Sequence, residues 1–371
     1  MQGDHPGPGL ASRRHGGLWR AHVRPHPAEA GRTTLRAAPA ISVLLPVRDG
    51  AAHLAEAAAS LEAQTEGDFE VVAVDDGSTD RTSAILADWA ARDARVRVLR
   101  QEPSGIVVAL ERARAAARGR YLARMDADDV SEARRFAVQR GLLEEDPTLG
   151  ACGARIRYFP RRHLRDGARR YEQWINGASS PEEVARELFV ECPLAHPAFF
   201  LRAEAVSRVG GYRERGWPED YDLILRLWRG GWRLANAPEV LLRWREGSER
   251  LSRNHGAYAP EAFLACKVHH LRKTLLAGGR GAVVWGSGPV GKAFARALLA
   301  AGTPVEAFVD VDPRKIGQEI HGAPVLDTAA GLCRQGVVHL AAVGQPGGRR
   351  TLRGVLTGGG LTEGTDFVAV A

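Results

Sequence analysis

The chain has 371 residues, 44% of them hydrophobic, with 51 Lys and Arg against 44 Asp and Glu and a formal net charge of +7. That length suits two domains with full cores. No run approaches the roughly 20 apolar residues of a membrane span, and Cys152, Cys192, Cys266 and Cys333 lie far apart with no CxxC, which argues for reduced cytoplasmic thiols and against a zinc site. The basic excess is nearly all Arg, since Lys occurs only at 267, 273, 292 and 315. Arg suits bidentate contact with phosphate. Nucleotide-diphosphate substrates or an anionic membrane surface fit this charge. Nucleic acid does not, because no helix-turn-helix, RNP or zinc-finger pattern accompanies it.

Residues 1–39, rich in Gly, Pro, Arg and His, have no apolar h-region and read as a disordered arm or an over-extended reading frame. From residue 41 strands and helices alternate. "ISVLLPV" is a strand broken by Pro46, and "AAHLAEAAASLEAQ" a helix with Asp49 near its start as a cap. "FEVVAVDD" and "RVRVLRQ" are strands around the helix "STDRTSAILADWAARD". "GIVVALERARAAARG" is a helix closed by Gly119, and "RYLARMD" is the fourth strand. This alternation predicts a parallel sheet covered on both faces. Ligands of such sheets sit beyond the carboxyl ends of the strands.

Acidic clusters fall at those ends. Asp75 and Asp76 end the second strand, and Asp126 and Asp128 the fourth. A hard divalent cation takes oxygen ligands and commonly joins carboxylates to substrate phosphates, so Mg2+ or Mn2+ is expected at Asp126 and Asp128. The competing reading is an acidic turn capping a helix that begins near Ser131. Asp80 is a candidate cap for the second helix. Capping leaves Asp75 and Asp76 unexplained; a carboxylate there can accept from a base N–H or a ribose hydroxyl. Further on, "GWPEDYDLILRLWRGG" puts Glu219 and Asp220 at a helix start, where the dipole favours the ionised carboxylate that a general base needs. Favourable charge in a first helical turn is the plainer alternative.

In this order, "ISVLLPVRDG", "VVAVDDGSTDRT", "ARMDADD", "CPLAHPAFFLRAEAVSRVGGYRE" and "WPEDYDLILRL" resemble the family 2 glycosyltransferases, over residues 40 to 253. The resemblance implies an α/β GT-A nucleotide-diphospho-sugar transferase fold and an inverting, cation-dependent transfer from a nucleotide-diphosphate sugar. It implies that Pro46, Asp75, Asp76 and Asp126 bind the donor and that Asp128, with Asp126, holds the metal. Asp220 is then the catalytic base and Glu219 its neighbour. One position departs: Arg245 in "RWREGSERLS" stands where many relatives carry a His. Arg245 is expected to clamp donor phosphate instead. A glycan or lipid-linked acceptor, cell-surface polysaccharide or glycoconjugate synthesis, and a cytoplasmic location at the inner membrane face follow from the same resemblance. His196, a lone His beside Pro, reads as structural.

Residues 254–280 are expected as a helical linker and 281–371 as a small Rossmann-like domain. There "VVWGSGPVGKAFARAL" fits G-x-G-x-x-G at Gly286, Gly288 and Gly291, with Asp310 ending a strand some 20 residues on. The loop suits a nucleotide-type ligand of unspecified identity, or only close helix–strand packing. It leaves open an alternative function, an NAD(P)-dependent oxidoreductase or nucleotide-binding module acting through this domain. A non-catalytic scaffold is disfavoured by the three acidic motifs together.

Overall fold

A computed structural model describes residues 38–247 and 255–371. The expected arm lies almost wholly outside the described residues, as does the 253/254 boundary. Eight strands form the first sheet: β1 (Ile41–Val47), β2 (Phe69–Asp76), β3 (Val96–Gln101), β4 (Tyr121–Arg124), β5 (Val130–Ser131), β6 (Leu149–Phe159), β7 (Phe200–Arg202) and β8 (Arg233–Arg245). Their order is β3-β2-β1-β4-β7-β6-β8-β5. The β3-β2-β1-β4 half is parallel, with Leu44 opposite Arg124 and Val47 opposite Asp75. β7 runs antiparallel to both β4 and β6. β1 and β2 are buried along their whole length, as expected of strands covered on both faces.

The helices between them are α1 (Leu54–Glu62), α2 (Thr82–Arg92), α3 (Ile106–Ala116), α4 (Arg135–Glu145), α5 (Asp166–Ile175), α6 (Pro181–Glu187), α7 (Ala203–Val209) and α8 (Glu219–Arg229). Three local expectations fail. Asp49 does not cap α1; it sits at φ 49° and accepts the Thr79 N–H at 2.8 Å, which laces the β1–α1 loop to the β2–α2 loop. Gly119 does not close α3, which ends at Ala116. Gly119 is needed for close approach, because a Cβ there would lie 2.6 Å from the Ser42 backbone nitrogen. Ser131 begins no helix; it pairs as a strand with Leu242 of β8. Asp80 accepts the Thr82 N–H at 2.9 Å and also ties Ala51 into the loop pair.

The stretch expected as a linker is α9 (Pro260–Arg272), and it is not exposed like one. Cys266, Val268, His270 and Leu271 are buried. After it come β9 (Ala282–Trp285), α10 (Pro289–Ala300), β10 (Val305–Val309), β11 (Glu319–Ile320), β12 (Ala323–Leu326), α11 (Thr328–Leu332), β13 (Val338–Ala341), α12 (Gly348–Gly358) and β14 (Phe367–Ala369). They build a second sheet, β11-β12-β10-β9-β13-β14, parallel except for the short β11–β12 pair. One apolar cluster runs from Leu44 and Leu223 through Cys266 and Leu271 to Val284 and Phe294, so the two sheets share a core. Polar ties reinforce the junction. Lys267 donates to the carbonyls of Val190 and Val370, and Glu187 of α6 accepts from Arg349 and Arg353 of α12, each at 2.7 Å.

Cutting the chain after Ala277 therefore uncovers apolar side chains worth about 1.5–3 kcal/mol each when buried. The fragment is expected to unfold at a lower urea concentration than the full chain and to bind a hydrophobic dye. An unchanged midpoint would show that the shared core contributes nothing to the first sheet.

Candidate active site

Strand geometry places the acidic loop. β4 ends at Arg124 opposite Leu44 of β1, and the chain then turns through Asp126, Asp128 and Asp129 before entering β5. The carboxylate oxygens of these three aspartates lie within 4.8 Å of one another. Asp129, the third carboxylate of the stretch and one given no role from sequence, is buried. Its Oδ1 accepts the Arg245 backbone N–H at 2.7 Å, while its Oδ2 is buried with no hydrogen-bond partner. Burial, then the charges of Asp126 and Asp128, push its carboxyl well above the ordinary range. A convergent oxygen set with one orphaned oxygen fits a divalent cation.

Beneath the loop lies Arg124, with 2% of its side chain exposed. Its Nη1 is 2.5 Å from Asp126 Oδ2. Against the cost of burial, Asp126 and Asp129 help hold the guanidinium charged. Arg135, fully buried, donates to the Arg124 carbonyl at 2.7 Å and fixes the strand end from below.

Arg245, expected on donor phosphate, turns back on the loop. Its Nε donates to the Asp128 carbonyl at 2.6 Å, its Nη2 pairs with Glu56, and its guanidinium lies over the Phe159 ring. It thus braces the acidic loop while still lining the cavity above it.

That cavity measures about 700 Å3. Pro46, Arg124, Asp126, Asp128, Asp220 and Arg245 are among its walls. Asp75 and Asp76 are not. Both carboxylates are engaged by the protein, which removes the puzzle they posed in sequence. Asp75 accepts from Ser78 N–H and the Ser83 hydroxyl. Asp76 accepts from Gln101 Nε2, Ser104 N–H and Gly105 N–H at 2.7–2.9 Å. Asp76 thereby anchors the loop whose next residue, Ile106, does line the cavity.

Across the cavity, Pro218 starts α8 and delivers Glu219 and Asp220 in its first turn. Asp220 keeps 18% of its side chain exposed, at the cavity, and is otherwise enclosed. The dipole argument from sequence is outweighed here. Burial and the neighbouring Glu219 charge push Asp220 up to about 7, against the Tyr221 N–H and Arg124, which favour the anion. Glu219 is raised too, by burial, and Tyr258 donates to its Oε2 at 2.7 Å. His196 stands 3.6 Å from Glu219, 4.0 Å from Asp220 and 3.3 Å from the Tyr212 hydroxyl. Burial, then Arg124, hold its pKa well below the usual value, so it is a neutral ring at pH 7. It lines the cavity.

A second buried group, Asp222, Cys266 and His270, also has ligand-like spacing. Arg229 can only donate to His270 Nδ1, at 3.4 Å, which leaves Nε2–H to donate to Asp222 at 3.0 Å. No imidazole lone pair remains for a metal. Asp222 also accepts from Arg226 at 2.7 Å. The group locks α8 to α9.

In the second sheet the Gly-rich turn is closed on itself. Asp310 accepts from Ser287 N–H and hydroxyl and from Lys315 Nζ. A Cβ on Gly291 would meet the Gly286 carbonyl at 1.8 Å, so this glycine serves close packing of α10 on the strand end.

A half-parallel sheet with an acidic loop facing a helix-borne carboxylate pair defines a GT-A type nucleotide-sugar transferase architecture. The crystal structure of S. aureus TarS residues 1–349 in complex with UDP-GlcNAc shares this fold. It has a TM-score of 0.52 at 16% identity, over 70% of this chain and 71% of that one. Residues 42–210 match the family Glycosyl transferase family 2; the chain carries a domain of that family and is a glycosyltransferase. EpsE of Bacillus subtilis (strain 168) is 29% identical over 242 residues, 63% of this chain and 84% of that protein. The amylovoran biosynthesis glycosyltransferase AmsE of Erwinia amylovora is 28% identical over 205 residues, 55% and 74% respectively.

Arg124 is the group on which these carboxylates depend. Arg124→Met is expected to destabilise the protein by about 3–5 kcal/mol, the cost of leaving buried charges unpaired. The penalty in urea unfolding should shrink as pH falls and the carboxylates protonate. A penalty independent of pH would show that lost packing, not charge, is responsible.

Proposed function

We propose that the protein transfers a sugar from a nucleotide-diphosphate donor to an acceptor hydroxyl, with inversion at the anomeric carbon. The observation that carries this is a single cavity with the three-aspartate loop on one wall and Asp220 on the other. Asp126, Asp128 and Asp129 would hold Mg2+ or Mn2+. When bound, such a cation neutralises the departing diphosphate. Asp220 takes the acceptor proton as the acceptor oxygen bonds to the anomeric carbon. The carbon–oxygen bond to the diphosphate breaks, and its electron pair leaves with the phosphate. His196, neutral and beside the carboxylates, orients the base. Asp76 acts on the donor indirectly by fixing the 102–105 loop, and Arg245 by fixing the acidic loop. Residues 40–253 are read as the transferase domain, and residues 281–371 as a second domain that supports it through α9. The name of AmsE supports polysaccharide as the product class. The oxidoreductase alternative is not favoured, because Asp310 is already held by Ser287 and Lys315.

The test begins with a panel of nucleotide sugars with and without Mn2+, scored by thermal shift, since a ligand that binds only the native state raises the melting temperature. Asp128→Ala is expected to abolish the Mn2+-dependent part of the shift while leaving the melting temperature of the free protein unchanged. A retained Mn2+ dependence would remove the acidic loop as the cation site.

Asp220→Asn keeps the shape and removes proton acceptance. Donor affinity by calorimetry is expected to stay near wild type, and turnover to fall roughly 100-fold or more. With the base raised to about 7, its anion accumulates as pH rises through that value. The wild-type transfer rate should therefore climb through about pH 6 to 8, with its midpoint near 7, and level off above. A flat profile with an active Asn variant would take Asp220 out of the reaction.

A further inference from the structure

α9 and α10 pack against each other outside the family match, which ends at residue 210, and the donor reading gives them no ligand. Between them runs a groove of about 890 Å3, a ligand-sized space. It begins at Pro260, just past Tyr258 of the active-site cavity. Its walls are apolar: Phe263, Leu264 and Val268 come from α9, and Val290, Phe294 and Ala297 from α10. Val290 is 40% exposed.

The rim of the groove is basic. Arg272 and Arg296 line it, both are exposed, and neither forms an ion pair with a described residue. Lys273, and Arg215 from the loop before α8, are also exposed and without an ion pair among the described residues. Both act electrostatically on His269 of the groove wall. The same loop crowds further cations together. Arg213 and Arg226 donate to one acceptor, the Val209 carbonyl, each at 2.8 Å. Arg226 has 7% of its side chain exposed and pairs with Asp222, and its Nη2 is buried with no hydrogen-bond partner. Against these stand the exposed Glu214 and Glu261 and the Ala371 oxygen, which Arg349 Nε already holds at 2.7 Å. A surplus of positive charge thus surrounds an apolar slot.

A partner for this face has to be anionic. A second copy of the chain brings a net charge of +7, and residues 1–37 bring six Arg against Asp4 and Glu29, so each adds to the excess. We infer that the face docks on an anionic lipid bilayer: acyl chains enter the α9–α10 groove, and lipid phosphates sit on Arg215, Arg272, Lys273 and Arg296. Long basic side chains lay their stems on apolar surface and hold the charge at headgroup level. Each one near an anionic membrane adds to the attraction. The cations come from three elements, the loop before α8, α9 and α10, and not from one edge of the groove. A sheet of headgroups can meet them all, whereas a single acidic helix laid in the groove meets only its rim. Among the described residues no helix is long and apolar enough to cross a membrane, so their contact with the bilayer is peripheral. The inference is independent of the donor reading.

The experiment co-sediments the full chain, without nucleotide, with vesicles of phosphatidylcholine alone and of equal parts phosphatidylcholine and phosphatidylglycerol. Binding is expected on the second only, and added salt should weaken it by screening. The triple variant Arg272→Gln, Lys273→Gln, Arg296→Gln is expected to bind roughly tenfold or more weakly, on a scale of about fivefold per cation. A fluorophore at Ala300→Cys, in a Cys333→Ser background, marks the groove, and the same label at Asp88→Cys marks the exposed side of α2. Lipids with a quencher in the acyl chain should darken the label at 300 and leave the label at 88 bright. No binding to phosphatidylglycerol vesicles, a triple variant that binds like wild type, or a label at 300 that is not quenched beyond the one at 88 would each overturn the inference. Binding of poly-L-glutamate that is lost in the triple variant, with no quenching at 300 on vesicles, would give the face to an acidic protein instead.

Discussion

One buried guanidinium organises the site. Arg124 ends β4 with 2% of its side chain exposed, at the cavity wall, and the four carboxylates around it come from two distant parts of the chain: Asp126 and Asp129 from the loop it precedes, Glu219 and Asp220 from the start of α8. Acidic groups held this close raise one another's pKa values unless a cation sits among them. A fixed positive charge lets the loop and the helix face each other across one cavity. It also limits how far the pKa values of the pair on α8 rise. Asp220 ends near 7 because Arg124 and the Tyr221 N–H offset only part of what burial and Glu219 impose. A carboxylate so poised is half ionised near neutrality, the condition that suits a general base.

The residues around this centre act mainly by holding one another. Arg245 binds the acidic loop at the Asp128 carbonyl and the Asp129 carboxylate, Arg135 holds the strand end, and Asp76 fixes the loop before α3. Such partners cost little flexibility in the groups that meet substrate, since backbone and side chain are both restrained before any ligand arrives. The second sheet joins this scheme through α9, whose Tyr258-flanked start and His270 grip α8 at Glu219 and Asp222.

Much of this was legible in the residues. Strand–helix alternation located the parallel half of the sheet, and the acidic residues at strand ends marked the ligand side. The order of Asp126-Asp128 and Glu219-Asp220 placed both walls of the cavity. Other parts were not legible, for identifiable reasons. Arg124 reads as one polar residue in an apolar strand, and nothing local says that its charge is buried. Tyr258 meets Glu219 across 39 positions, and His270 meets Asp222 across 48; pairs so separated leave no periodic trace. The N–H groups of Ser78, Ser104 and Gly105 that Asp75 and Asp76 accept from belong to every residue and carry no signature. The dipole argument for Asp220 had the right sign but too small a magnitude, since the burial that opposed it depends on tertiary packing.

The grip of α9 on α8 has a consequence for the order of events during synthesis. Glu219 and Asp222 lie upstream of the residues that complete their surroundings, Tyr258 and His270. A nascent chain that has released α8 but not yet α9 carries Asp222 with one of its two partners and Glu219 with no hydroxyl donor. The helix that carries Glu219 and Asp220 therefore reaches its final surroundings only after the ribosome has passed the end of the first sheet.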